Sequence, residues 1–268
     1  MSHPSTEVAL ETLTQWWGDM GVDVDDTLLG ALKKAVVPAT QRPATLSENS
    51  GETRPKQRRR GRKTIEEWVK EAESLASNAD TLDTLKTAIE GFEGCPLKAG
   101  ANRTVVFDGV QGAPIMVIGE GAGGREDRIG LPFVGKAGQL LDKMLAAIAL
   151  DRKSNVFLTN VTYWRPPGNR NPTADELAVC RPFVDRMIEL NAPKLIIAVG
   201  GVSAKSLLRT KDGIMKLRGG WTDYQTPGGF SAPMLTTFHP AYLLRRPEDK
   251  SRAWRDLLAV QMRFEEAR

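Results

Sequence analysis

Two rhythms of apolar and polar residues run along this chain. Residues 114–119 (PIMVIG), 155–161 (NVFLTNV), 194–200 (KLIIAVG) and 234–238 (MLTTF) are short and mostly apolar. Such runs predict strands covered on both faces of a sheet. Between and after them the apolar residues recur at helical spacing, over 136–149, 173–190, 202–208 and 250–265. Thr64-Ile65-Glu66-Glu67 places a capping residue three positions before a glutamate and predicts a helix start; a second helix is expected over 80–91. Apolar strands alternating with helices predict a three-layer α/β/α fold with a four-stranded, mostly parallel sheet. Ligands in such sheets lie beyond the strand C-termini. That rule singles out the segments beginning at Gly119, Asn160, Gly200 and His239.

The first 63 residues follow another pattern. Residues 6–20 read as an amphipathic helix with Val8, Leu10, Leu13, Trp16 and Trp17 on one side, and 26–36 as another. From 38 to 63 the chain is rich in Pro, Thr, Ser, Gly and Arg and poor in apolar residues. The expected division is a small helical segment over 1–37, a basic linker without fixed structure over 38–63, and the main domain over 64–268. Charge follows this division. The net charge of +4 rests on seven basic side chains between Arg54 and Lys63, since residues 1–53 are acidic and 64–268 nearly neutral. Such a run suits phosphate backbones, and equally a solvated linker.

Two cysteines cannot build a disulfide framework and fit a reducing compartment. No apolar run approaches the ~18 residues of a membrane span, and the first ten residues lack a signal-peptide pattern. A soluble, cytoplasmic, monomeric protein without membrane contact is expected.

The strand ends carry the chemistry. Gly119, Gly121 and Gly124 satisfy G-x-G-x-x-G. A dinucleotide site would need a helix directly after the glycines and an acid at the next strand end. Here the loop is expected to run on through Gly130, Pro132 and Gly135, and the next strand ends in Thr159 and Asn160. What remains is a glycine-rich loop whose N–H groups can face an anion, with Glu120 at its base and Phe133 inside it. Phe133 suits either the core or stacking on a flat ring. Asn160 suits either a turn or the edge of a nucleobase. His239 is the one histidine of the main domain, at a strand end before Pro240. After it, Tyr242, Leu243, Leu244, Arg245 and Arg246 form an apolar tip with cations, fit to wedge into a duplex or to open a surface helix.

These segments together resemble the family 4 uracil-DNA glycosylases. The family's G-E-A/G-P-G loop appears as Gly119-Glu120-Gly121-Ala122-Gly123. Its G-x-P-F-V-G-x-A-G-Q-L-L stretch appears as residues 130–141, its T-N and R-P-P-G-N-R elements as Thr159-Asn160 and 165–170, and its H-P-A/S-Y-L-L-R as 239–245. The resemblance covers about 91–268, so 64–268 is expected to be the catalytic domain. It implies a repair enzyme that flips uracil out of DNA and hydrolyses its N-glycosidic bond, leaving an abasic site. The alternative is a non-catalytic protein of the same fold that binds uracil or abasic sites.

Carried onto matching positions, the resemblance implies Glu120, His239 and Asn160 as catalytic residues. Gly121, Phe133 and Asn160 would hold the base, and Arg165, Arg170, Leu243, Leu244, Arg245 and Arg246 would contact uracil-containing DNA. The family also binds a four-iron, four-sulfur cluster through four cysteines. Here Cys95 and Cys180 match two of them, while Phe92 and Trp164 stand at the other two. Two thiolates do not hold such a cluster. The expectation is therefore no cofactor and no metal, with the two aromatics filling the volume.

Overall fold

The computed structural model describes residues 63–266. The expected helices over 6–20 and 26–36, and the linker up to residue 62, lie outside the described residues. α1 (Ile65–Ser77) opens at Thr64, whose hydroxyl accepts the Glu67 N–H at 3.2 Å while the Glu67 carboxylate accepts the Thr64 N–H at 2.6 Å. The expected capping box is thus formed. α2 (Leu82–Gly91) opens in the same way, with Thr81 and Thr84.

The four expected strands are β2 (Ile115–Gly119), β3 (Val156–Asn160), β4 (Leu195–Val199) and β6 (Ser231–Thr237), and neighbouring members run parallel. The four-stranded expectation nevertheless needs correction, because the sheet has six strands and is mixed. β1 (Phe107–Gly109) lies antiparallel beside β3, and β5 (Trp221–Gln225) antiparallel beside β6, giving the order β1-β3-β2-β4-β6-β5. Both edge strands escape the apolar pattern for a physical reason. β1 is three residues long and nowhere fully buried, and β5 fully buries only Tyr224. An edge strand half in water carries no continuous apolar run.

Successive strand residues feed opposite layers. Met116, Ile118, Phe157, Ile196 and Met234 pack into one core with α1, α2, α5 (Ala174–Asn191) and α6 (Gly201–Leu208). Ile115, Val117, Leu158, Ile197 and Leu235 pack into the other with α4 (Lys136–Ala146) and α9 (Lys250–Glu266). The three layers of the expectation are present. No helix among the described residues is long and apolar enough to cross a membrane.

Topology fixes where a ligand crevice falls. The first crossover carries the chain from β2 to β3, and the next brings it back past β2 to β4. The strand order therefore switches between β2 and β4, and crevices in open α/β sheets form at that switch, outside the strand C-termini. Gly119 and Gly200 stand on either side of it.

Candidate active site

Gly119 ends β2 and pairs with Asn160, the last residue of β3. A Cβ on Gly119 would collide with the Phe133 ring and come within 2.5 Å of Asn160 Oδ1. Glycine here is what lets an aromatic ring and a carboxamide meet over the strand end. Phe133 is only 6% exposed and its φ is +54°. That left-handed conformation costs a bulky residue about 1–3 kcal/mol, so its surroundings must impose it.

Three contacts do so. The Glu126 carboxylate accepts the N–H groups of Val134 and Gly135, at 3.1 and 2.8 Å. Arg152 donates to the Phe133 carbonyl at 2.8 Å and is itself anchored by Asp108 and Asp142. Finally, α4 passes so close to the Phe133 backbone that any Cβ at Gly138 would overlap it. Neither Glu126 nor Arg152 was singled out as functional from sequence. Each acts on distant backbone, and no local spacing signals that.

His239 caps α8 (Pro240–Arg245), its Nδ1 accepting the Ala241 N–H at 3.1 Å. Burial, and secondarily the charge of Arg245, push its pKa down to about 4. The imidazole is therefore neutral near pH 7 and, with Nδ1 accepting, carries its proton on Nε2. Its ring lies nearly parallel to that of Phe133, centroids 6.2 Å apart at 27°. A Cβ on Gly200 would lie 3.0 Å from the His239 Cβ. The four strand ends predicted to matter thus converge.

Glu120 is half-buried, and burial raises its carboxyl pKa. Its backbone carbonyl accepts the N–H and hydroxyl of Thr162, at 3.2 and 3.1 Å, and Gly121 lies against that hydroxyl. The two acids nearby in sequence are committed elsewhere. Glu126 holds the Phe133 loop, and buried Asp127 accepts hydrogen bonds from Asn102 and Arg103. The expectation of an uninterrupted loop up to residue 136 is corrected. α3 (Gly124–Ile129) follows the glycines directly, and its six residues contain one apolar side chain, which is exposed.

The expected DNA contacts separate into two groups. Leu244 is 45% exposed and stands beside exposed Arg245 and Arg246. Leu243 is 1% exposed and packs with Phe238 and Ala253, so helical phase assigns it to the core and corrects its place at the tip. Arg165 is half-buried and donates to Asn169 at 2.8 Å. Arg170 donates through both terminal nitrogens to Glu176, at 2.8 and 2.6 Å. Because Glu176 also closes the capping box of α5, that pair secures a helix start.

Cys95 and Cys180 lie buried in one core cluster with Phe92 and Trp164. Phe92 stacks edge-on with Trp68 and with Phe183, and Trp164 donates its indole N–H to Thr104 at 3.1 Å. The contact with Cys95, together with burial, pushes the Cys180 thiol well up. In the same cluster the buried hydroxyl of Tyr163 has no hydrogen-bond partner among the described residues.

Comparison with known proteins agrees with this geometry. The model of the Uracil DNA glycosylase superfamily matches residues 107–258. The chain is 35% identical over 181 residues to the type-4 uracil-DNA glycosylase of Pyrobaculum aerophilum, covering 66% of this chain and 91% of that one. It is 35% identical over 179 residues to that of Thermotoga maritima, with the same coverage, and 36% identical over 175 residues to that of Sulfurisphaera tokodaii, covering 63% and 78%.

These relatives overturn the expectation of no cofactor. They are type-4 enzymes, the group for which a four-iron, four-sulfur cluster is implied, and nothing in the fold is a positive sign that a cofactor has been lost. The donor set itself is plain. Among the described residues no group of three or more His, Cys, Asp or Glu side chains is disposed to hold a metal, and Cys95 and Cys180 are two thiols where four ligands are needed. The residues do not complete a four-thiolate site. With 107–258 matched as a unit, and the glycine loop, Asn160 and His239 gathered at one sheet switch point, the chain belongs to the uracil DNA glycosylase superfamily.

Proposed function

We propose that this chain is a uracil-DNA glycosylase of base excision repair, with 64–268 as its catalytic domain and uracil-containing DNA as its partner. The observation that carries the reading is the convergence of Phe133, Asn160 and a neutral His239 around Gly119 and Gly200. A base in a duplex cannot present its glycosidic bond to an enzyme, so it must leave the stack. A uracil entering this crevice would lie against the Phe133 ring. Asn160, offering one donor and one acceptor, matches the N3–H and O4 edge of uracil.

Breaking the bond between N1 and the sugar C1′ leaves the electron pair on the base and positive charge on the sugar. The His239 Nε2–H, directed at O2, stabilises the departing anion without giving up its proton. Water adds to C1′, and the Glu120 carboxylate stabilises the cationic sugar and takes the proton that water loses. Leu244 fills the gap left by the base, with Arg245, Arg246 and Arg165 on neighbouring phosphates. Arg170 serves through the Glu176 pair, holding the basic loop against α5. The protein works as a cytoplasmic monomer in this reading.

The test is uracil release from a uracil-containing oligonucleotide by the intact chain, beside Asn160→Ala and His239→Ala. Release by the unaltered chain and strong loss in both variants support the reading. Near wild-type rates in both variants refute the pocket assignment.

A further inference from the structure

Next to the α8 tip, α4, α8 and the start of α9 enclose a groove of about 430 Å³. Leu140, Met144 and Leu243 line it together with Trp254, Lys143 and Lys250. Among the described residues no acidic side chain lines it. Trp254 is 42% exposed, a large planar apolar surface left in water. Among the described residues the ion pairs of this face join Arg246 to Glu248 and Arg252 to Asp249, and leave both lysines out. Leu243 lines the groove, and the next residue, Leu244, is the exposed tip. Groove and tip thus share one short helix, α8.

A planar ring flanked by two cations matches a nucleic acid strand, which brings flat bases for the ring and phosphates for the lysines. We infer that this groove binds the DNA strand running on from the flipped nucleotide, with Trp254 stacking on a base and Lys143 and Lys250 meeting phosphates. The inference rests on the reading of the chain as a DNA enzyme, and it extends the contact surface beyond the pocket and the tip.

The experiment measures binding of the full chain to a labelled, uracil-free single-stranded oligonucleotide over a range of salt. Stacking of one base on an aromatic ring is worth about 1–3 kcal/mol, so Trp254→Ala is expected to weaken binding about 5- to 150-fold. Trp254→Phe, which keeps a ring, is expected to recover most of that loss. The double variant Lys143→Ala/Lys250→Ala, both positions being exposed, is expected to reduce the slope of log K against log salt by about 1.4, roughly 0.7 per phosphate contact. Wild-type affinity in Trp254→Ala, or a wild-type slope in the lysine variant, overturns the inference. Uracil release by the unaltered chain is measured in parallel. Release without an effect at Trp254 removes the groove alone, and an effect at Trp254 without release removes the glycosylase reading alone.

Discussion

The Nδ1 of His239 accepts the backbone N–H of Ala241 at 3.1 Å, two residues further along the chain. This contact leaves Nε2 as the protonated nitrogen of a neutral ring. A donor aimed at developing negative charge is worth about 10²–10³ in rate. His239→Ala should lose that much single-turnover uracil release, and His239→Gln, which keeps an N–H donor, should lose less. Equal losses in the two variants would mean that the ring acts by packing alone.

The acid side of the pH profile follows from the same ring. Burial and Arg245 hold its pKa at about 4, below the ordinary value of about 6.5. The rate should show no His239-dependent inflection near pH 6.5. Between about pH 6.5 and 4 the unfolded chain binds a proton that the native chain does not, so stability falls as pH drops through that window. Glu120, raised by burial, has the opposite sign over a range just above its ordinary pKa. Denaturant melts from pH 7 to 4 should show a shallower decline in His239→Asn than in the unaltered chain; parallel curves would contradict the depressed pKa.

Arg152 is expected to act on the reaction without touching the base. It holds the Phe133 carbonyl while bound to Asp108 and Asp142. Arg152→Met should release the strained loop and lower kcat/KM by about 10²-fold, the effect of misplacing a contact group by about an ångström. Arg152→Lys should recover little, because one ammonium cannot span the carbonyl and both carboxylates. A circular dichroism spectrum like that of the unaltered chain, beside the lost rate, separates this from unfolding.

The two adjacent leucines of α8 should part company. Leu243→Ala removes a core side chain and should cost about 2–5 kcal/mol in a denaturant melt. Leu244→Ala should leave the melt within about 0.5 kcal/mol while slowing release from duplex more than from single-stranded DNA. A duplex defect confined to Leu243→Ala would reverse the assignment.

The parallel heart of the sheet was legible because strands covered on both faces must be apolar throughout, as in Ile115–Gly119 and Leu195–Val199. The edges were not, because Asp108 spends its place in β1 on an ion pair with Arg152 and Thr222–Asp223 face water, which leaves no such run. Motif order and the sheet rule together pointed to Gly119, Asn160 and His239, positions that the fold brings close to Phe133 and Gly200. The support beneath them was illegible, since Glu126 reaches the backbone eight residues on and Arg152 reaches back nineteen. Leu243 and Leu244 are adjacent and chemically identical, and only the phase of a six-residue helix tells them apart. The cofactor expectation failed differently, because a ligand count describes donors and does not by itself establish what a protein of this family carries.

The fixed Phe133 loop has a consequence for turnover. The backbone that carries its ring is held by Glu126, Arg152 and the close passage of α4, all parts of the chain itself, so the ring is in place before any DNA arrives. A stacking face set in advance meets a departing base as readily as an incoming one. Free uracil should therefore compete with damaged DNA for the same walls, and the enzyme would be throttled by its own product wherever that product accumulates.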